Sequence, residues 1–391
     1  MSISSAFIYH PQTLNYKFNE HHPFNQKRLT LTMDLLKKSG ALNEDNIITP
    51  SPASDESIHA VHQTEFIQTV KELSSPSPSK KALSQAEKFG LDKGDTPHFE
   101  NMHEITSIVA GGSIEASKQV MSGQYSHALH LGGGLHHAMP DRSAGFCVYN
   151  DAAIAIQYIR KNYGAKVLFV DTDVHHGDGV QWSFYADPEV YTFSIHETGK
   201  YLFPGTGYVT ERGEDSGFGY NLNLPMQPYT EDESWLKCFS ETLERIVKNF
   251  KPDVIVSLHG CDAHVYDPLS HIHCSMDIYL KMPQIIHNIA HEYCNGKWIA
   301  LGGGGYDIYR VVPRAWSLLW MVMSDHPIIH SLIEKPNLTL PEEWIQQWKK
   351  QSPKTLPNTW LDKRDEWDPM PRRVEITKQN EKTKEMALTY C

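Results

Sequence analysis

The sequence predicts an α/β protein built on a mostly parallel sheet with helices on both faces. Short apolar runs, β-branched or Leu-rich and without alternation, recur along the chain, as strands covered on both faces require. Helix-period stretches separate them, and that alternation marks a parallel α/β sheet. Each apolar run also empties into glycine and polar residues. In such sheets ligands bind beyond the carboxyl ends of the strands, so one convergent site is expected.

In chain order the runs are SHALHLGGGLHHA (126–138), AKVLFVDTDVHHGDG (165–179), EVYTFSIHETG (189–199), PDVIVSLHGCDAH (252–264) and KWIALGGGGYD (297–307). IVAGGSIEASKQVMSG, YNDAAIAIQYIRKNYG and ESWLKCFSETLERIVKNF supply helices. AWSLLWMVM (315–323) falls short of the ~18 apolar residues of a membrane span and reads as a buried helix. Residues 74–101, rich in Ser, Pro and Lys, read as a long surface loop. From about Asn337 the chain turns polar, with Trp, Pro and Lys. The expected division is therefore one catalytic domain over 1–336 and a C-terminal extension over 337–391, packed on the domain or partly loose from it.

At 391 residues and 40% hydrophobic content the chain suits a soluble globular protein. Its net charge of −11 argues against a nucleic-acid-binding surface. The charge is compatible with a basic partner, and solubility alone accounts for it equally well. The start, MSISSAFIYHPQ, has no basic region followed by an apolar core. None of the six cysteines forms a CxxC pair, so a cytoplasmic protein with reduced, structural thiols is expected.

The stretch VDTDVHHGDG (170–179) places three carboxylates and two imidazoles behind a core strand. Burying such groups is costly unless they are paired, hydrogen-bonded or bound to metal. In extended chain Asp171, Asp173 and His175 share a face. Alone, DxD reads as an N-cap or turn, and a lone His is more often a satisfied core residue than a ligand. Matched with CDAHVYDP at another strand end, the pattern favours a metal. Asp173, His175 and Asp267 give three N/O ligands and leave a position open for water, as catalytic zinc sites do. Asp262 and His264, in the same stretch, compete for that role.

LGGGLHHAMPD brings His136 and His137 to a glycine-rich strand end, where Asp171 and Asp178 are free to accept one imidazole N–H each. A histidine oriented by a carboxylate is the general-base arrangement, worth ~10²–10⁴-fold. A bound metal lowers the pKa of water from about 15.7 to about 7. In GGGGYD the glycines permit close backbone approach, and Tyr306 can donate to a developing oxyanion. Taken alone, Tyr306 is as readily a packing residue. Together these parts make a hydrolase for a carbonyl substrate.

HPFNQKRL, GDTPHF, GGGLHHA, GFCVYNDAA, VDTDVHHGDGVQ, FPGTG, YDPL and GGGGY, in this order over about residues 8–310, closely resemble the zinc-dependent histone deacetylase family. Within it the chain is most similar to the bacterial acetoin-utilisation deacetylase branch. The resemblance implies an arginase/deacetylase-type three-layer α/β fold and hydrolysis of ε-acetyl-lysine amides to lysine and acetate. It implies zinc, or iron(II), on Asp173, His175 and Asp267, the last preceding a proline as the family's ligand does. His137 matches the general base and acid, with His136 as its partner. Asp171 and Asp178 match their supporting carboxylates, and Tyr306 the residue that polarises the acetyl carbonyl.

Phe146 and Phe203 match the aromatic walls of the acyl-lysine tunnel, and Gly145 its rim. Asp95 matches the acidic residue that holds substrate backbone, and Arg28 the arginine of an internal channel for acetate. A potassium or sodium ion is implied at Asp171, Asp173, His175 and Ser194, and a second at carbonyls around Phe184, Asp187, Val190 and Tyr220. Without the resemblance, Phe146 and Phe203 read as core, Asp95 as a turn residue and Arg28 as a solvated helix residue.

The stretch after Asp267, DPLSHIHCSMD, and the loop bearing Asp95 depart from many relatives, and both shape the rim that selects substrate. The implied partner is an acetylated protein or peptide, for instance a metabolic enzyme such as acetyl-CoA synthetase, with no nucleic acid and no membrane. Oligomeric state is not fixed. Acetylpolyamine hydrolysis is the nearest rival, and a non-catalytic acyl-lysine binder the rival from another class. A ureohydrolase would need a paired manganese site, for which only one ligand set is evident.

Overall fold

The computed structural model describes residues 4–363, 367–389 and 391. Residues 1–3 of the opening segment lie outside it. Among the described residues eight strands form one sheet: β1 Ser5–Ile8, β2 Ile47–Ile48, β3 His127–His130, β4 Val167–Asp171, β5 Val190–Glu197, β6 Asn221–Met226, β7 Val254–Leu258 and β8 Trp298–Leu301. Their order is β2-β1-β3-β8-β7-β4-β5-β6, and every pairing is parallel.

The helices are α1 Lys27–Lys38, α2 Asp55–His59, α3 Thr64–Leu73, α4 Lys80–Gln85, α5 Met102–Met121, α6 Asp151–Tyr163 and α7 Asp178–Ser183. They continue as α8 Asp232–Phe250, α9 Met276–Tyr293, α10 Val312–Met323, α11 Pro327–Glu334, α12 Glu342–Trp348 and α13 Arg373–Leu388. No helix among the described residues is long and apolar enough to cross a membrane.

β4 shows why the strands read as unbroken apolar runs. Leu168 and Val170 pack into the layer formed with α1, α8, α9 and α10. Val167 and Phe169 point the other way, into the layer under α5 and α6. Both faces are dry, so no polar residue alternates. The 315–323 segment lies within α10, every residue of which is buried.

Two stretches differ from the sequence expectation. Residues 74–101 are not simply a surface loop: Ser79 caps α4 by accepting from Ala82 N–H, and Ala82, Ala86, Phe89 and Leu91 are buried in a third apolar cluster. The Ser, Pro and Lys between them hid that face. β6, NLNLPM, does not read as a strand, since it carries two Asn and a Pro. It is the sheet's edge strand, where a missing N–H costs no ladder bond.

The C-terminal extension supplies Trp344, Trp348 and Trp360 to the core. The indole N–H of Trp344 donates to Leu31 O at 3.0 Å. α13 lies along α8 and β6, with Asn380 donating to Thr230 and Ser234. Asp362 is a strut between the extension and the domain. Its carboxylate accepts from His264 Nε2 at 2.8 Å, Met276 N–H at 2.8 Å and Arg314 Nη1 at 2.9 Å.

Candidate active site

The carboxyl ends of β3, β4, β7 and β8 converge, and the four loops that leave them interlock through backbone N–H groups. Asp171 closes β4, and its Oδ1 accepts Asp173 N–H at 3.0 Å. Asp173 Oδ1 accepts His175 N–H at 3.0 Å. From the loop after β8, Gly304 N–H reaches Asp173 Oδ2 at 2.6 Å and Tyr306 N–H reaches Asp267 Oδ2 at 2.7 Å. Glycine is required at 304: a Cβ there would lie 2.1 Å from Asp262 Oδ2 and 2.8 Å from Asp173 Oδ2.

His136 and His137 are buried at the end of the GGGLHH loop. His136 Nδ1 is 2.7 Å from Asp171 Oδ2, and His137 Nδ1 is 2.7 Å from Asp178 Oδ1. Burial opposes a charge on His136, but Asp171, Asp173 and Asp178 together outweigh it and raise its pKa to about 9. Burial, then repulsion from His136, holds His137 down at about 4 against the pull of Asp178.

The acid cluster behind them is deep. His175 Nδ1 lies 3.1 Å from both Asp173 Oδ1 and Asp262 Oδ2. Asp173, His175 and Asp262 have donor atoms within 4.8 Å of one another. Asp267, 5% exposed, stands beside this trio with each oxygen fixed by one backbone N–H, from Leu269 at 3.0 Å and Tyr306 at 2.7 Å. The family resemblance implies Asp267, while the tightest triangle contains Asp262.

Burial raises Asp171; burial and then Asp173 raise Asp262 to about 6; burial and then Asp262 raise Asp267 well above the carboxylate range. Only Asp173 is held low, by His136 and His175 acting against burial. Carboxylates that compete for protons at this depth are what a divalent cation relieves, and the O,O,N donor set suits one.

Two of the sequence-predicted surroundings lie directly against these residues. Phe146 sets its ring edge against Tyr306, with centroids 5.8 Å apart, and Phe203 does so against His137 at 5.0 Å. Phe203 is 44% exposed, a poor core residue but a suitable wall. The Tyr306 hydroxyl has no hydrogen-bond partner among the described residues, and burial raises its pKa well above that of an ordinary tyrosine. Asp95 is exposed on the rim, its Oδ2 accepting Gly145 N–H at 2.9 Å. Gly145 has φ +54°, and a Cβ there would strike the His137 ring at 2.4 Å.

Arg28 is not a solvated helix residue. It is 2% exposed beneath the glycine loop, donating Nη1 to Gly303 O at 2.9 Å and stacking on Phe24 and Trp316. Ser194 faces Asp171 across β4 and β5, and its hydroxyl meets His196 Nδ1 at 2.8 Å. Phe184, Asp187 and Val190 follow one another through backbone turns, and Tyr220 O accepts Thr192 N–H at 3.0 Å. The two implied monovalent-cation sets thus lie at the two ends of the β4–β5 region.

Three residues here act through the backbone and were missed. Asp151 accepts Leu135 N–H at 2.7 Å and Gly134 N–H, fixing the GGGLHH loop. Asn150 donates to His136 O and Ala138 O. His62 accepts Asn150 N–H at Nε2, 2.9 Å away, with Nδ1–H on Met139 O. VYNDAA contains two of them, and only its position before a helix hinted at a cap.

A family model, the histone deacetylase domain, matches residues 22–323. The chain belongs to the histone deacetylase family. As a deacetylase it is similar to the acetoin utilization protein AcuC of Bacillus subtilis (strain 168), at 49% identity over 98% of this chain and 96% of the relative. The AcuC of Staphylococcus xylosus is 43% identical over 100% and 99%. Among solved structures, an HDAC homologue from Aquifex aeolicus superimposes with a TM-score of 0.84 at 29% identity, covering 97% of this chain and 100% of that one. An HDAC homologue complexed with SAHA gives 0.83 at 28%, covering 98% and 100%. This is the arginase/deacetylase fold, and for a deacetylase of this family it implies a metal cofactor.

Proposed function

We propose that this deacetylase hydrolyses the ε-acetyl-lysine amide of proteins or peptides to lysine and acetate. The observation that carries the reading is the pairing of two buried His–Asp couples, each at 2.7 Å, with a carboxylate cluster deep enough to demand a cation. Asp173, His175 and Asp267 would hold zinc, with iron(II) as the alternative metal. Once bound, the metal supplies Lewis acidity and a water ionised near neutral pH. Asp267 is preferred to Asp262 because Tyr306 N–H ties it to the residue that meets the substrate.

His137, neutral and oriented by Asp178, takes the water's proton at Nε2 and returns it to the departing lysine amine. His136, charged beside Asp171, stabilises negative charge next to it. Tyr306 donates its hydroxyl to the acetyl oxygen as negative charge develops there. Phe146 and Phe203 strip water from the lysine methylenes, Gly145 leaves them room, and Asp95 offers a rim acceptor to substrate backbone N–H. Arg28 sits behind the site, where released acetate would meet a cation. Potassium or sodium at the Ser194 and Tyr220 sets would brace β4 and β5. None of the cysteines is in a disulfide among the described residues, which supports a reducing, cytoplasmic setting.

A deacetylation assay over acetylated peptides, acetylated metabolic enzymes such as acetyl-CoA synthetase, and acetylspermidine tests the reading, with Asp173→Ala as control. Acetate release from peptides that the control lacks is the expected result. Faster turnover of the polyamine would move the substrate class, and no release from any substrate would leave a binding protein. Metal content of Asp267→Asn against Asp262→Asn decides the third ligand.

A further inference from the structure

At the opposite end of the sheet, three imidazoles converge on one point. His127 opens β3, and His287 and His291 lie one turn apart on α9. Ring centroids are 5.0 Å (127–287), 5.2 Å (127–291) and 4.5 Å (287–291) apart. Three imidazoles around a tetrahedral ion, with metal–nitrogen bonds of about 2.0–2.1 Å, put their ring centres about 5 Å apart.

The nitrogens are poised as well as close. His127 is fully buried and donates Nδ1–H to Met323 O at 2.8 Å, which leaves its lone pair on Nε2. That Nε2 and Nδ1 of His287 are both buried without a hydrogen-bond partner among the described residues. Buried polar atoms in native proteins are rarely left so. A ligating histidine typically gives its other N–H to a carbonyl, as His127 does. Burial keeps His127 and His287 neutral, so mutual repulsion of imidazolium rings does not arise. Donor atoms of all three lie within 4.8 Å of one another. Across a tetrahedral ion that spacing is about 3.4 Å, and small side-chain rotations of His287 and exposed His291 close the gap.

We propose that His127, His287 and His291 form a second metal site, for a borderline divalent transition ion of the zinc, nickel or cobalt class. All-imidazole donors select such ions over magnesium or calcium. The fourth position faces solvent beside His291. β3 runs from this site towards the GGGLHH loop, so an ion here lies at least a strand length, roughly 10 Å, from the candidate active site. It would clip α9 to the sheet and take no part in the chemistry.

The test is zinc stoichiometry of the untagged full chain, stripped with chelator and dialysed against low micromolar zinc. Wild type is expected to hold two ions per chain, and His287→Gln/His291→Gln one. In an Asp173→Ala background zinc should still raise Tm, and should no longer do so once His287 and His291 are also replaced. Both histidines are at least partly exposed, so these variants fold. His291→Gln alone, a surface change, should weaken the second ion's affinity on the order of tenfold or more. A single wild-type ion that Asp173→Ala removes and the double histidine variant keeps, or two ions retained in the double variant, overturns the site. Failure of the catalytic metal reads differently: Asp173→Ala would then leave the count unchanged.

Discussion

His136 and His137 are adjacent, equally buried, and each 2.7 Å from a carboxylate, yet one is pulled up to about 9 and the other held at about 4. The His–Asp couple is therefore not a unit with a fixed property. His136 faces three carboxylates, whereas His137 faces one and is repelled by two imidazoles. His62 gives a third case, with two backbone partners and no carboxylate, and burial holds it at about 4 as well. The count of charges within reach decides the outcome, and the β4 loop sets that count by presenting Asp171, Asp173 and Asp178 to one side.

The hardest blow to this contrast is His137→Ala. It should lower kcat by ~10²–10⁴ with metal content unchanged, because the neutral ring that moves the proton is gone. His136→Ala should cost less; if steady-state kinetics show the reverse, the assignment of the two rings is exchanged. Tyr306→Phe should lower kcat by ~10²–10³ with little change in KM, since the hydroxyl acts on charge that develops only in the transition state.

The supporting carboxylates should also separate. Asp171 bonds both His136 and the backbone of Asp173, so Asp171→Asn should weaken metal affinity by ~10–100-fold in a chelator competition. Asp178→Asn should leave metal affinity unchanged and lower kcat alone. Equal metal loss in both would erase the distinction.

The smallest effect is one of pH on stability. His62 in the unfolded chain titrates near 6.5, and in the folded chain only near 4. As pH falls below 6.5 the unfolded state takes up a proton that the folded state refuses. Stability should be intact above 6.5 and decline towards 4, at about 1.4 kcal/mol per pH unit from this group. His62→Gln should flatten that acid limb in urea midpoints measured between pH 7 and 5.

What the sequence made legible follows from where polarity had to sit. β3, β4, β5, β7 and β8 announce themselves because both faces are dry and their ends carry glycine, Asp and His. β6 and α9 do not: NLNLPM looks like a loop, and Pro283 interrupts a helical pattern. Asp173 and His175 stand out because adjacent charges behind a strand demand a reason. Asp262 and Asp267 could not be ranked by spacing, since both leave the same loop after β7. Arg28 reads as surface by composition, and only packing on Phe24 and Trp316 puts it inside. His62, Asn150 and Asp151 stay silent because they grip backbone atoms, which every residue has.

The strut at Asp362 has a consequence for synthesis. Residues 262–267 are ribosome-made roughly a hundred positions before the carboxylate that pins His264 and Met276 N–H. During translation, then, the pocket's floor stays without its pin until Asp362, far downstream of it, has left the ribosome and folded back.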